Sequence, residues 1–260
     1  MESSILKGDN CYKALDFDEA IKYYEKAISI NPQSALAWNG KGLSLISKGQ
    51  LDLGFFCYKK ALKIDDSIAV IWNNIGAYYF QKGEYEEAYN YFNKSIELEP
   101  SVLAYYNLCS LYFKKGEFYS ALLYIEKAIS LDPNNSVLWS SKGNLLFELG
   151  YWDNAIDSLN QSILIDPNNF DAYNSLGFIY INKRDYPEAE KKLFKSLEIN
   201  NNYHAALSNI SLLYREKGEY PSALEYAKKA IDIAPSIPSL WADLGSCLFN
   251  FIIKEKTTKR

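Results

Sequence analysis

Apolar and small residues return along this chain with a period of about 34 residues, and inside each period they fall on two helical stripes. In the third period, Trp72, Ile75, Gly76 and Tyr79 stand at i, i+3, i+4 and i+7, which predicts an amphipathic helix, termed helix A. Gly83 follows, and a second amphipathic stripe, helix B, opens near Tyr85 and runs to Ile96/Leu98 before Pro100. The same order recurs. The large slot early in helix A holds Trp38, Trp72, Tyr105, Trp139, Tyr173, Leu207 and Trp241. The break between helices holds Gly49, Gly83, Gly116, Gly150 and Gly218, a residue suited to the left-handed conformation past a helix end. Helix B is closed by Pro32, Pro100, Pro133, Pro167 and Pro235, each lacking the donor needed to continue.

Three slots stay small throughout. The Gly76 slot holds Gly8, Gly42, Gly76, Cys109, Gly143, Gly177, Ser211 and Gly245. The Ala88 slot holds Ala20, Gly54, Ala88, Ala121, Ala155, Ala189 and Ala223, and the Ser95 slot holds Ala27, Ala61, Ser95, Ala128, Ser162, Ser196 and Ala230. Small side chains at fixed helical positions mark points where helix axes approach closely. The units align as 1–34, 35–68, 69–101, 102–135, 136–169, 170–203 and 204–237, followed by a capping helix at 238–253 and a basic tail at 254–260. A period of this length predicts a stacked array in which each unit leans on its neighbours.

These slots resemble the tetratricopeptide repeat, and the likeness covers nearly the whole chain. The resemblance implies an all-α fold, a right-handed superhelical solenoid of antiparallel helix pairs (an α-α superhelix), with helices A lining the concave face. The departures are modest. Asp66 and Asn201 replace the closing proline, Arg184 replaces the glycine between helices, Ser4 replaces the first large residue, and Lys7, Lys41 and Lys142 occupy the Ile75 slot. Those lysines are expected to lay their stems on apolar surface and keep the ammonium in water.

Composition narrows the function. No unbroken apolar run approaches the length of a membrane span, and Met1-Glu2-Ser3-Ser4 has no features of a secretory signal, so a cytoplasmic protein without membrane attachment is expected. Cys11, Cys57, Cys109 and Cys247 form no C-x-x-C pair and read as reduced core fillers. His204 is the only histidine. No phosphate loop, triad or metal-ligand spacing appears, so no enzyme, cofactor or metal is expected. Net charge is −4, and the tail Lys254-Glu255-Lys256-Thr257-Thr258-Lys259-Arg260 is basic, which leaves the repeats still more acidic. That argues against a nucleic-acid ligand.

The resemblance directs attention to the residues just before the Ile75–Gly76 pair, which would face the groove. They form a polar, mostly uncharged row. The candidate groove residues are Asn39, Asn73, Asn74, Tyr106, Asn107, Ser141, Asn144, Asn174, Ser175, Asn209 and Asp243. Asn74, Asn107 and Asn209 stand where the similar array of the protein O-GlcNAc transferases carries asparagines that grip a peptide backbone. A carboxamide both donates and accepts, so it pairs with a peptide unit whatever the side chain. The other reading of the same row is a solvated helix face, with ligand contacts elsewhere. A second stripe, Ile46, Phe80, Phe113, Phe147, Ile181 and Phe249, is expected to pack rather than bind. Leu36, Val70, Leu103 and Val137 stand where a carboxylate clamp for chaperone C-termini would need cations, which excludes that specialisation.

The expected function is a scaffold that holds a peptide segment of a partner protein in the groove. One alternative is a substrate-recruiting subunit of a separate enzyme, such as a glycosyltransferase-type complex. The other, RNA binding, is disfavoured by charge. At the C-terminal end Phe249, Phe251, Ile252 and Ile253 exceed what one partner helix can cover. Either the helix frays there or this end meets something else, an end-to-end homodimer among the candidates.

Overall fold

A computed structural model of the chain describes the backbone of residues 2–258 and the side chains of residues 2–254. The described residues are all-α, with no strand. The chain divides into two compact units, Met1–Leu131 and Asp132–Arg260. The first contains α1 (Glu2–Lys13), α2 (Phe17–Ile30), α3 (Ala35–Ser47), α4 (Leu51–Ile64), α5 (Ala69–Lys82), α6 (Tyr85–Leu98), α7 (Val102–Lys114) and α8 (Phe118–Leu131). The second contains α9 (Ser136–Glu148), α10 (Trp152–Ile165), α11 (Phe170–Asn182), α12 (Tyr186–Ile199), α13 (His204–Glu216), α14 (Tyr220–Ile233) and α15 (Pro238–Thr258). Odd-numbered helices are helices A and even-numbered ones are helices B. Each packs most closely with the partner that follows the turn, which makes a stack of antiparallel pairs in each unit.

Local chemistry sets the boundaries. In the turns before α3, α5 and α11 an Asx turn reverses the chain: Asn31, Asp65 and Asp166 accept at 3.0 Å from the amides of Gln33, Ser67 and Asn168. Ser34, Ser101 and Asn169 then cap α3, α5's successor α7, and α11 through the amides of Ala37, Ala104 and Ala172. The tryptophans of the large slot clasp the same turn. The indoles of Trp38, Trp72, Trp139 and Trp241 donate to the carbonyls of Pro32 (3.0 Å), Asp66 (2.7 Å), Pro133 (2.9 Å) and Pro235 (3.0 Å).

The break between helices A and B needs a positive φ in every pair. Gly49, Gly83, Gly116, Gly150 and Gly218 supply it at φ 75–83°, and the amide of Glu84 closes the α5 end on the Tyr79 carbonyl at 2.9 Å. The two pairs without glycine take the same conformation, with Leu15 at φ 61° and Arg184 at φ 60°. Two side chains are therefore held where sterics disfavour them.

The core is a row of fitted contacts between each helix A and its own helix B. A Cβ placed on Gly8, Gly42, Gly76, Gly143 or Gly177 would come within 2.7, 2.7, 2.6, 2.6 and 2.5 Å of Tyr24, Tyr58, Phe92, Leu159 and Leu193. Tyr79 stacks on Tyr91, Tyr112 on Tyr124 and Tyr214 on Tyr226, at centroid distances of 5.3, 5.4 and 5.6 Å. Burial pushes the Cys109 thiol up to about 12, so it stays protonated as a small core side chain. Cys57 and Cys247 are also buried and free. On the outside, lysines near the ends of helices A pair with acids that open the preceding helix B: Lys48 with Asp18, Lys115 with Glu86 at 3.1 Å, and Lys183 with Asp153 at 2.7 Å. Such exposed pairs add little stability.

At the C-terminal end α15 does not turn near residue 253. It continues to Thr258, because Ile252 occupies the turn-glycine slot and Lys-Glu-Lys favours helix. The basic tail expected at 254–260 therefore begins inside α15. Residues 259–260 and the side chains from 255 onward lie outside the described residues.

Replacing Leu15 or Arg184 with glycine should raise stability by about 0.5–1 kcal/mol, read as a higher urea midpoint, since relief of left-handed strain outweighs added freedom of the unfolded chain. Gly76→Ala should lower it by about 1–3 kcal/mol, because the buried Phe92 ring cannot withdraw.

Candidate functional site

Helices A place the polar row one turn into each helix, beside the points where successive helices A meet. In the first unit the amides bind one another. Asn74 Nδ2 donates to Asn39 Oδ1 at 2.9 Å, and Asn107 Nδ2 donates to Asn73 Oδ1 at 2.9 Å. In the second unit Asn209 Nδ2 donates to Asn174 Oδ1 at 2.8 Å, and Ser208 Oγ donates to Asp243 Oδ2 at 2.8 Å. In each of these four bonds a residue in the Asn74 slot pairs with the residue in the Asn73 slot of the preceding helix A. Asn39, Asn73 and Asn74 are buried, with Asn73 only 3% exposed. Asn107, Asn174, Asn209, Asp243, Tyr106, Ser141 and Ser175 are half-buried, and Asn144 is exposed. The amides thus tie neighbouring helices A together while keeping further donor and acceptor capacity at the half-buried rungs.

One turn before this row, three of the four helices A of the first unit, α3, α5 and α7, carry an exposed aliphatic residue, while α1 has Glu2 in that slot. Leu36 is 51% exposed, Val70 40% and Leu103 52%. They stand three residues ahead of Asn39, Asn73 and Tyr106, on the same helix face. Sequence reasoning weighed these positions only as missing cations. Their recurrence at the repeat spacing was visible, but exposure was needed to distinguish a surface row from core. In the second unit Val137 continues the pattern and is followed by Asp171, Ala205 and Ser239.

The row begins at a recess of about 280 Å³ in the first unit. Leu36, Asn39, Gly40 and Leu43 of α3 form one side, and Ile5, Asp9, Tyr12 and Lys13 of α1 form the other. Tyr24 stands at its base and donates to Asp9 Oδ1 at 2.7 Å. Burial, then that hydrogen bond, push the Tyr24 phenol up, so it remains a donor throughout the physiological range. The recess combines an apolar wall with one fixed carboxylate.

The second stripe packs mainly within its own pair. Phe80 meets Tyr85, Phe113 meets Phe118 and Phe147 meets Trp152 at centroid distances of 5.8, 5.5 and 5.8 Å, and Ile181 is buried. No group of His, Cys, Asp and Glu among the described residues could hold a metal ion. No helix among them is long and apolar enough to cross a membrane.

Comparison with known proteins agrees with this architecture. Residues 66–256 match the family of the Cilia and flagella-associated protein 70 C-terminal domain, and residues 2–34 and 35–68 each match the tetratricopeptide repeat. The chain belongs to this tetratricopeptide-repeat family, and its fold is that of a protein-interaction module.

No curated protein sequence matches it. Among solved structures it is similar to YrrB, described as a tetratricopeptide-repeat protein with an unusual peptide-binding site. The identity is 27%, the TM-score is 0.55, and the match covers 71% of this chain and 95% of that one. A tetratricopeptide-repeat protein from Parabacteroides merdae is 18% identical with a TM-score of 0.74, covering 95% of this chain and 98% of that one. A chain of the APC/C hetero-tetramer Cut9–Hcn1 is 23% identical with a TM-score of 0.72; the match covers 81% of this chain, which spans only 42% of that one. The last two likenesses concern the fold alone.

The shared amide bonds can be measured. Alanine at Asn73 removes the acceptor for Asn107 and should cost about 1 kcal/mol. A double-mutant cycle of Asn73→Ala with Asn107→Ala should return a favourable coupling of about 0.5–1.5 kcal/mol by denaturant unfolding.

Proposed function

We propose that the helix-A face of residues 1–131 binds an extended peptide segment of a partner protein whose aliphatic side chains lie on Leu36, Val70 and Leu103. The observation that carries this reading is that row of exposed aliphatic residues beside amides already fixed in place. A monomeric surface has no reason of stability to repeat an apolar side chain on successive helices. The amides are pre-oriented by their mutual bonds, so little side-chain entropy is lost when a peptide group pairs with their remaining donors and acceptors. Asn107 is the rung most open to such a bond in this unit, and Asn39 borders the recess that would take one side chain of the ligand.

Asn174, Ser175, Asn209 and Asp243 give the second unit a more polar version of the same face. The finer likeness to the O-GlcNAc transferase arrays rests on Asn74, Asn107 and Asn209. Service as the recruiting subunit of a separate enzyme would use the same row and differ only in the partner. A cytoplasmic setting suits four free cysteines, three of them buried.

Partner capture followed by affinity measurement tests the proposal. Serine at Leu36, Val70 and Leu103 together should leave the helical circular-dichroism signal intact, because all three are exposed. It should weaken the captured peptide by more than about tenfold, as each lost apolar contact is worth about 1 kcal/mol or more. Asn107→Ala should add a smaller loss. Equal affinity in the triple variant would remove the row from the binding surface.

A further inference from the structure

The aliphatic row of the first unit has a fixed pitch, and that pitch selects the backbone of what lies on it. Leu36, Val70 and Leu103 are each the second residue of their helix, α3, α5 and α7. Asn74 bonds Asn39 and Asn107 bonds Asn73, both at 2.9 Å, and side chains this short bridge only helices that lie side by side in direct contact. Helices packed in this way stand about 8–10 Å apart. A ligand crossing the three therefore meets one apolar contact per such step, three in succession, each 40–52% exposed.

Three regular backbones answer this pitch differently. A β-strand returns a side chain to one face every second residue, about 6.7 Å on, and next at about 13 Å; the residue between these, at about 10 Å, faces away. An α-helix brings an apolar side chain to its stripe every three or four residues, about 5–6 Å apart, so alternate members of the stripe would fall between the rungs, over the bonded amides. A polyproline-II strand has three residues per turn and rises about 3.1 Å per residue, so its same-face side chains recur every third residue at about 9.3 Å. That value lies within the spacing of the helices.

The polar part of the face selects the same backbone. Asn107 spends one N–H on Asn73, and its Oδ1 accepts no bond within the described residues. No fully buried polar side-chain atom among those residues lacks a partner, so this oxygen is open to solvent. A ligand N–H satisfies it. An α-helix past its first turn has none to give, whereas polyproline II makes no internal hydrogen bonds and keeps every N–H outside proline free.

Resting on the docking face described under the proposed function, we propose that its ligand is a polyproline-II segment of a partner protein in which every third residue is aliphatic. The aliphatic side chains sit on Leu36, Val70 and Leu103 in turn. Proline is favoured at one of the two positions between them, where it presets the backbone and lowers the entropy lost on binding. The residue whose N–H meets Asn107 Oδ1 is not proline.

Isothermal titration calorimetry on the full chain tests this with two capped synthetic peptides of one composition. One consists of three Leu-Pro-Gln triplets; the other places its leucines at alternate positions, as Leu-Gln-Leu-Gln-Leu-Gln-Pro-Pro-Pro. The triplet peptide should bind at least about tenfold more tightly than its isomer, and serine at Leu36, Val70 and Leu103 together should weaken it by about tenfold. Equal or tighter binding of the isomer, still weakened in the triple variant, would overturn the polyproline-II ligand and leave the docking face standing. No binding by either peptide, or equal affinity of the triplet peptide for the wild-type chain and the triple variant, would overturn the docking face and this ligand with it.

Discussion

The structure depends on the closeness with which each helix A approaches its helix B. A glycine at the crossing removes the one carbon that would hold the axes apart, and a ring or isobutyl group from the partner fills the space. Everything else follows from that fit. It sets the angle of the pair, the angle sets where the next turn must lie, and the turn residues and caps are those that let the chain reverse there. Where the small residue is glycine, a larger side chain of helix B fills the space it leaves, so the crossing is specified by two residues together rather than by one small residue alone.

This pairing explains how a chain with few strong polar interactions holds a regular form. The ion pairs along its outer surface are exposed, and the amide bonds between helices A are modest in strength. They act on alignment. A carboxamide bonded to the helix before it fixes the rotation of one helix A against the next, so the orientation of that helix face is preset by contacts that lie partly beneath it. The same groups cannot be counted twice: a buried rung such as Asn73 serves the scaffold, and only the half-buried rungs have capacity to spare.

Much of the fold was legible in the sequence because its signals repeat. Trp72, Gly76, Ala88 and Pro100 are weak evidence singly and decisive when the same residue types return at the same spacing. The left-handed conformation at Leu15 and Arg184 was less legible, since neither residue prefers it; the neighbouring pairs impose it. The candidate site was legible in part. Its polar row could be placed from the repeat, but whether amides in adjacent units point at solvent or at one another depends on the distance between helices, which spacing along the chain does not reveal. Leu36, Val70 and Leu103 were likewise plain as letters. Their exposure is a property of packing. At the other end, the excess of apolar residues in 240–253 was visible at once, and the structure divides it between the buried Leu240 and Cys247 and the exposed Trp241 and Phe249.

The tryptophan clasp carries a consequence for assembly. Each indole reaches back six residues to the linker before its helix, a bond so local that almost no loop must close to form it. Linkers followed by Trp38, Trp72, Trp139 or Trp241 can therefore order early and seed the helices on either side, while those followed by Tyr105, Tyr173 or Leu207 wait for contacts from their neighbours. The nascent protein has several starting points for folding scattered along its length, and the order in which its segments solidify is written in which boundaries hold an indole.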